Sequence, residues 1–141
     1  MSEIIESQLK MLGLYFSKYT FNLDGPLDGT PLKNFITINH ANKVDDKNEV
    51  RIQIDCTLED ERGIFKLYLQ TLGFFKLERN DNITEEVAEE ILKKNTVAIM
   101  LPYVRSQISL LTTQPGMAPV LLPPMDVNAI MEQEDKNITA K

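Results

Sequence analysis

The sequence contains few of the residues on which enzymes and metal sites depend. It has one histidine, His40, one cysteine, Cys56, and no tryptophan. A metal site needs several ligands of these types, and a catalytic histidine needs a nucleophile or a carboxylate beside it. Neither a glycine-rich phosphate loop nor a Cys-x-x-Cys pair occurs. We therefore expect no catalytic residue, no metal site and no cofactor, and we interpret His40 as a surface residue and Cys56 as a small apolar one.

Positive charge and long apolar runs are also scarce. The chain carries 15 basic and 21 acidic residues, a net charge of −6, and no block rich in lysine or arginine. Nucleic acids and anionic membranes attract basic surfaces, so neither is an expected partner. No apolar run approaches the length of a membrane span, and the start, Met-Ser-Glu-Ile-Ile-Glu, lacks the basic region of a signal peptide. We expect a cytoplasmic protein that does not insert into a membrane.

The composition that remains is that of one globular domain. Hydrophobic residues make up 43% of the 141 residues and charged residues 26%, which is ordinary for a folded protein. A chain of this length buries roughly two-thirds of the surface that its unfolded form exposes. We predict a single domain over residues 1–141, with the polar ends, residues 1–8 and 133–141, as mobile tails.

Period-two alternation predicts four strands in the first half of the chain. They cover Leu9 to Leu23, Lys33 to His40, Glu49 to Leu58 and Ile64 to Leu77. The third is the clearest, because its apolar residues alternate strictly with polar ones: Val50, Ile52, Ile54, Cys56 and Leu58. The phase slips across Ser17-Lys18 in the first strand and near Gly73 in the fourth, which predicts a bulge at each point. Short connections, including a polar turn over Asn42 to Asn48, indicate an antiparallel meander or a Greek key.

Helical spacing predicts the second half of the chain. Thr84 is the expected N-cap of a first helix, and Asp126 that of a last short one. The helix between them ends before Gln114 and carries one apolar stripe: Val97, Met100, Leu101, Val104, Ile108 and Leu111. A second apolar flank of the same helix comprises Ile99, Tyr103 and Leu110. Pro102 predicts a kink or a helix start nearby. We predict an α+β fold, a four-stranded antiparallel sheet followed by helices.

The central helix can be interpreted in two ways. A helix that is apolar on more than one side usually packs on more than one side, and in so short a chain the second side could be another subunit. It could equally be the core helix of a single domain. The six methionines and the ten phenylalanine and tyrosine residues fit either a flexible binding surface or ordinary core filling.

Three segments, in order along the chain, carry a family resemblance. They are Met100-Leu-Pro-Tyr-Val-Arg-Ser-Gln-Ile-Ser, Gly116-Met-Ala-Pro, and Pro124-Met-Asp-Val-Asn-Ala-Ile130. Together with the pattern of the strands, including Gly73-Phe74-Phe75, they resemble the SecB family of bacterial export chaperones. The resemblance runs over roughly Leu9 to Ile130.

This resemblance implies a fold, an assembly and an activity. SecB-like proteins have a four-stranded antiparallel sheet with two helices on one face, and they form a tetramer, a dimer of dimers, with the long helices between the dimers. They bind unfolded, export-bound polypeptides along apolar grooves without ATP and pass them to the motor SecA. The client-binding groove implied here comprises Phe35, Ile38, Leu121, Met125 and Ile130. The oligomer-interface helix implied here presents Met100, Tyr103, Val104 and Ile108.

The chain departs from the family on the flat surface of the sheet. Where SecB-like proteins carry acidic residues that dock the basic tail of SecA, this chain has Lys18, Asn22 and Tyr68. The charge complementarity that steers a basic tail is therefore weakened or reversed, which leaves SecA an open partner.

Three functions stand as hypotheses. The first is an ATP-independent chaperone that holds unfolded polypeptides competent for export or folding. The second is a dedicated chaperone of one client, such as an antitoxin, without SecA docking. The third is an enzyme with a sheet wrapped around a central helix, as in thioesterase-like folds, for which His40 is the best candidate residue.

Overall fold

The structure is a computed structural model that describes residues 8–27, 29 and 31–132. Its strands are β1 (Leu9–Leu23), β2 (Leu32–Lys43), β3 (Asp46–Asp60) and β4 (Phe65–Leu77). Two α-helices, α1 (Glu85–Glu90) and α2 (Thr96–Leu111), flank a π-helical turn, Ile91–Asn95. Residues 127–132 are helical again. The tails predicted at residues 1–8 and 133–141 lie outside the described residues, with the exception of Gln8.

The four strands form one antiparallel sheet in the order β1-β4-β3-β2. The hairpins β2–β3 and β3–β4 make a meander, and β1 returns to lie beside β4. This arrangement is a Greek key, one of the two topologies that the short turns allowed. It leaves β1 and β2 as the two edges of the sheet, so the segment that joins them passes from one edge to the other. The predicted antiparallel four-stranded sheet is confirmed.

β3 shows the alternation that made it the clearest strand in the sequence. Its even-numbered apolar residues are all buried: Val50, Ile52, Ile54, Cys56 and Leu58. The turn before it is shorter than predicted, because only Val44 and Asp45 leave the strands. The Asn42 side-chain amide donates to the carbonyl oxygen of Lys47 at 3.1 Å. Polar side chains can extend a strand at the exposed end of a sheet, so their presence did not mark a loop.

The bulge predicted at Gly73 is wrong. β4 alternates without a break, and Gly73 pairs directly with Ile52 on β3 and with Leu14 on β1. The glycine lies beneath Met100 of α2. A Cβ atom there would lie 2.7 Å from the sulfur of Met100 and 2.9 Å from the ring of Phe75. Glycine at this position therefore leaves room for the Met100 and Phe75 side chains, and it does not interrupt the strand.

The bulge predicted in β1 is confirmed. The pairing of β1 with β4 shifts between Phe16 and Lys18, which leaves Ser17 as the extra residue. A second shift leaves Leu12 without a partner on β4. This shift was not predicted, because Leu12 fits an alternating apolar pattern whether or not the strand contains an extra residue there.

One helical run crosses the sheet from residue 85 to residue 111. Thr84 caps it as predicted, and the Thr84 hydroxyl accepts a hydrogen bond from the Val87 N–H at 3.2 Å. Two separate helices were predicted, but a π-helical turn joins α1 to α2. Leu92 and Val97 are five residues apart, and the wider π turn allows both to face the core. Pro102 lies inside α2, on its exposed side.

α2 covers one face of the sheet, which we call the inner face. Its predicted apolar stripe supplies the buried contacts: Val97, Met100, Leu101, Val104 and Ile108. The opposite face, which we call the outer face, carries the odd-numbered residues of β2 and β3 and the even-numbered residues of β4, with their partners on β1. Every buried residue of β3 and β4 belongs to the inner face. The hydrophobic core therefore lies on one side of the sheet only.

Candidate functional site

The residues predicted for a client groove are divided between the two faces of the sheet. Phe35 lies opposite Thr57 on the outer face and is 51% exposed. Ile38 lies opposite Ile54 on the inner face and is only 7% exposed. Successive side chains of a strand point to opposite faces, so two residues an odd number apart cannot share one face. A surface that includes both would have to pass around the edge strand β2.

The other three predicted groove residues lie on residues 117–130, which we call the apolar strap. Most of its apolar residues are half-buried and pack against the core: Met117, Val120, Leu122, Met125, Val127 and Ile130. Leu121 is different, because 78% of its side chain is exposed. The structure thus brings Leu121, Met125 and Ile130 onto one segment, with Leu121 on the surface and the other two shared with the core.

Two side chains at α2 hold the backbone of the apolar strap. The Thr112 hydroxyl accepts a hydrogen bond from the Val120 N–H at 2.7 Å and donates to the carbonyl oxygen of Ile108 at 2.8 Å. Nε of Arg105 donates to the carbonyl oxygen of Leu122 at 3.2 Å. The order of these contacts means that the strap runs back along α2. The sequence offered no signal for them, because neither a threonine after a helix nor an arginine within one is specific to such a role.

The apolar strap has little regular structure of its own. Residues 118–126 are neither helix nor strand, and three prolines in this stretch lack an N–H group: Pro119, Pro123 and Pro124. Its described hydrogen bonds to the rest of the protein are those with Thr112 and Arg105 and a turn bond from the Met117 N–H to the Gln114 carbonyl oxygen at 3.3 Å. A segment held in this way by a few side chains belongs to the part of a fold that opens most readily.

The predicted interface residues of α2 lie on two sides of the helix. Met100, Val104 and Ile108 are fully buried against the sheet of their own protomer. Tyr103 is 46% exposed. The exposed side of α2 carries three large apolar residues: Ile99, Tyr103 and Leu110. The surface of α2 that is open to a second subunit therefore consists of these residues rather than of Met100, Val104 and Ile108.

The positions at which the family carries docking acids lie on the outer face. Lys18 and Asn22 are exposed on β1. The Tyr68 hydroxyl donates to a carboxylate oxygen of Asp55 at 2.7 Å. Burial and the hydrogen bond to this carboxylate raise the pKa of Tyr68. The Lys18 ammonium lies 5.9 Å from the centre of the Tyr68 ring, within the range of a cation–π interaction. These positions therefore present one cation, one amide and one neutral phenol.

A cavity of about 420 Å³ separates α1 from the β2–β3 hairpin. Its polar lining includes His40, Asn42, Lys47, Arg79, Glu85 and Glu89. Oε1 of Glu85 lies 2.6 Å from Nη1 of Arg79 and 3.0 Å from Nζ of Lys47. Hydrogen bonds from Arg79 and Lys47 lower the pKa of Glu85. Nε2 of His40 donates to the carbonyl oxygen of Lys93 at 2.9 Å. The Lys47–Glu85 and His40–Lys93 contacts fasten the helical run to the β2–β3 hairpin.

The single cysteine belongs to the core. Cys56 is fully buried, and its sulfur lies 3.4 Å from the side-chain oxygen of Asn34. Burial raises the pKa of the Cys56 thiol to about 12. Within residues 8–27, 29 and 31–132, no three histidine, cysteine, aspartate or glutamate residues are grouped so that they could hold a metal ion. None of the helices in that same part of the chain has the length and apolar character needed to cross a membrane.

Comparison with protein families matches residues 29–137 to the model of SecB, described as preprotein translocase subunit SecB. The protein-export protein SecB of Neisseria meningitidis serogroup A is 34% identical over 88 residues, which cover 62% of this chain and 58% of that protein. The protein-export protein SecB of Anaplasma phagocytophilum is 26% identical over 87 residues, covering 61% and 55%. The chain thus spans less than two-thirds of the length of these relatives.

Comparison with solved structures finds a protein with a similar fold. The Mycobacterium tuberculosis Rv1957 SecB-like chaperone, solved in complex with a ChAD peptide from the Rv1956 HigA1 antitoxin, superimposes with a TM-score of 0.65. The superposition covers 87% of this chain and 95% of that chain at 15% sequence identity. This likeness confirms the predicted α+β fold.

Proposed function

Because the chain belongs to the SecB family, we propose that it is a molecular chaperone that binds unfolded polypeptides and keeps them competent for export or folding. Its affinity comes from burial of apolar side chains, which is worth roughly 25 cal/mol per Å². Such binding requires neither ATP nor another cofactor, and it involves no catalytic step. Export-bound clients are unfolded before they reach the membrane, so the proposed place of action is the cytoplasm.

The observation that carries this proposal is the apolar strap. Leu121 is 78% exposed on a stretch without regular secondary structure. Its neighbours Met117 and Met125 are half-buried, and methionine side chains adapt to partners of different shape. A segment of this kind offers apolar contacts to a client without requiring one particular sequence.

The proposed client groove follows the apolar strap. Leu121 is its exposed contact, and Met125 and Ile130 form its floor, since both pack against the core. Ile38 supports the core from the inner face of the sheet. Phe35 lies on the outer face, so only a client that passes around the edge of β2 reaches it.

The proposed assembly is a homotetramer, a dimer of dimers. Its support in this chain is the exposed apolar side of α2: Ile99, Tyr103 and Leu110. Burial of three such side chains in a second subunit removes apolar surface from water, which favours association. Met100, Val104 and Ile108 contribute indirectly, because they fix the helix on the sheet.

A second candidate is a dedicated chaperone of one client, such as an antitoxin. The outer face favours it, because Lys18, Asn22 and Tyr68 stand where the family carries the acids that dock SecA. The SecB-like chaperone of Mycobacterium tuberculosis was solved with an antitoxin peptide, so a client of that kind is compatible with the fold. Under the first candidate, transfer to SecA requires a docking surface other than these three positions.

The variant Leu121→Asp tests the proposed groove. Burying a leucine side chain is worth about 1.5–3 kcal/mol, so its replacement by a charged group is expected to raise the Kd for an unfolded client about tenfold or more. The readout is fluorescence anisotropy with a labelled, reduced and carboxymethylated client. The matched control is Val44→Asp, since Val44 is fully exposed in the β2–β3 turn. Equal effects of the two variants would remove the strap from the client site.

A panel of unrelated unfolded clients separates the two candidates. A general chaperone binds several of them with similar affinity, and Leu121→Asp weakens all of these complexes. A dedicated chaperone binds none of the panel but binds its own client. Tight binding of folded proteins would contradict both candidates.

A further inference from the structure

The outer face of the sheet is basic although the chain as a whole is acidic. Counting only residues in regular register, which leaves out Lys43 and Lys47 at the irregular β2–β3 turn, it carries six basic residues, all of them exposed: Lys10, Lys18, Lys33, Arg51, Lys66 and Lys76. It carries three acidic residues, all of them half-buried: Glu49, Asp55 and Glu59. The residues that the structure describes include 13 basic and 16 acidic ones, so seven basic and 13 acidic residues of this part of the chain lie elsewhere. The outer face therefore has a charge of +3 and the rest of the described residues −6.

Four cations of this face form no ion pair within the part of the chain that the structure describes. We call them the outer cations: Lys18, Lys33, Arg51 and Lys66. The two remaining bases, Lys10 and Lys76, pair with acids at the border of the face, at 2.9 and 3.9 Å. Glu49 pairs with Lys43 at 3.5 Å. The positive charge of this face that no ion pair neutralises thus comes from the outer cations.

The other two acids of the face do little to offset this charge. The Asp55 carboxylate accepts hydrogen bonds from the Tyr68 hydroxyl at 2.7 Å, the Gln53 amide at 2.9 Å and the Gln70 amide at 3.2 Å. Glu59 lies between two outer cations, because it is the register partner of one on β2 and of another on β4. A negatively charged partner therefore meets cations before it meets either carboxylate.

Aromatic side chains lie among the outer cations. The rings of Tyr15 and Phe74 stack with their centroids 5.9 Å apart at an interplanar angle of 22°. Phe35, near the β2 edge, is 51% exposed. Arg51 and Glu59 are eight residues apart on β3, which corresponds to roughly 26 Å at about 3.3 Å per residue. An extended segment of about eight residues matches this length, with apolar anchors between the charges.

We propose that the outer face binds an extended acidic segment of a partner protein, whose carboxylates meet Lys18, Lys33, Arg51 and Lys66 and whose apolar side chains contact Phe35 and the Tyr15–Phe74 pair. This site is distinct from the apolar strap, because the strap packs with α2 on the inner side of the sheet. The proposal does not depend on the chaperone function.

A peptide fits this face better than a nucleic acid does. The phosphate charges of a nucleic acid continue along its whole length, so any part that extends past the face meets the rest of the described residues, whose charge is −6. A short acidic segment is confined to the face and gains attraction without that repulsion. The hydrogen-bonded Asp55 and the neighbouring Glu59 also tolerate a segment with spaced carboxylates better than a continuous polyanion.

The test uses the full chain and a fluorescein-labelled peptide of about eight residues in which glutamate alternates with leucine and serine. Fluorescence anisotropy is measured for the wild type, for the double variant Lys18→Glu/Lys66→Glu, and for Lys93→Glu. Lys93 is exposed on the π-helical turn, so its reversal adds negative charge away from the outer face. The double variant is expected to weaken binding about tenfold or more, whereas Lys93→Glu leaves the affinity within about twofold. Circular dichroism establishes that each variant is folded, and Lys18→Gln/Lys66→Gln, which keeps no charge at these positions, is expected to give an intermediate loss.

Two further probes complete the test. A peptide with lysine in place of each glutamate is expected not to bind, and the complex with the acidic peptide is expected to weaken as salt shortens the Debye length. The proposal is overturned if the acidic peptide does not bind, if the double variant binds it as the wild type does, or if Lys93→Glu is as damaging. Tighter binding of a single-stranded oligonucleotide, lost in the same double variant, would assign the face to a nucleic acid instead. Leu121→Asp is expected to leave peptide binding unchanged.

Discussion

At the scale of single residues, the fold depends most visibly on a side chain that is absent. Gly73 lies under Met100, whose sulfur would be 2.7 Å from a Cβ atom at position 73. A fully buried methionine cannot move into solvent to make room. The glycine therefore determines how closely α2 approaches the sheet, and with it the position of the apolar strap that runs beside α2.

The variant Gly73→Ala tests this close approach. It is expected to lower the free energy of unfolding by about 1–3 kcal/mol, because extra atoms in a packed core force neighbours from their preferred positions. Met100→Ala alone is expected to cost about 2–5 kcal/mol through the cavity that it leaves. The double variant should lose less than the sum of the two, because the smaller side chain makes room for the new methyl group. Urea-induced unfolding at one fixed protein concentration measures all three, and strictly additive losses would refute the contact.

The positions of some individual residues could be predicted from the sequence. The alternation in β2 already placed Phe35 and Ile38 on opposite faces, and the structure agrees. The predicted client groove nevertheless included both residues, because it was based on the family resemblance and not on the alternation of the strand. The ambiguous case was Gly73, since a glycine within apolar residues is equally typical of a bulge and of a close helix contact.

At the scale of elements, the apolar strap is the segment with the weakest support. Arg105 in α2, Thr112 directly after it and the Gln114 carbonyl oxygen are its described hydrogen-bond partners. Each strand, by contrast, pairs with its neighbours along most of its length. We therefore expect the strap to open locally before the sheet does. Such opening gives a client access to the half-buried Met125 and Ile130.

The variant Arg105→Met tests the role of this contact. It retains much of the length of the side chain but removes the donor to the Leu122 carbonyl oxygen. A hydrogen bond of this kind contributes about 0.5–1.5 kcal/mol. Amide exchange at Val120 and Met117, whose N–H groups are hydrogen-bonded, is therefore expected to accelerate about two- to tenfold. Hydrogen exchange measured by NMR gives this rate. Arg51→Met, which removes an arginine from the outer face, is the control and should leave these amides unchanged. Unaltered exchange in Arg105→Met would mean that apolar packing alone holds the strap.

Sequence period predicted the elements better than their junctions. The stripe from Val97 to Leu111 identified α2, and Thr84 identified the start of the helical run. The π-helical turn was not predictable, because a five-residue step between Leu92 and Val97 also fits a break between two helices. The sequence predicted the strap as a client site but did not predict its hydrogen bonds to Arg105 and Thr112, because these side chains lie outside the strap.

At the scale of the whole molecule, three surfaces have separate physical character. The apolar strap exposes Leu121, the outer side of α2 exposes Ile99, Tyr103 and Leu110, and the outer face of the sheet is basic. The sequence could indicate that α2 had two apolar sides but not which side faced its own sheet. That required knowing where the sheet lay, and Met100, Val104 and Ile108 proved to face inward.

Native mass spectrometry of the purified protein, alone and after addition of a chemically unfolded client, tests the central claim most directly. A chaperone of this family is expected to appear as a tetramer that takes up one client chain, and the Leu121→Asp variant as a tetramer that takes up less. The claim is contradicted by an assembly that ignores every unfolded client offered, or by a monomer that binds none.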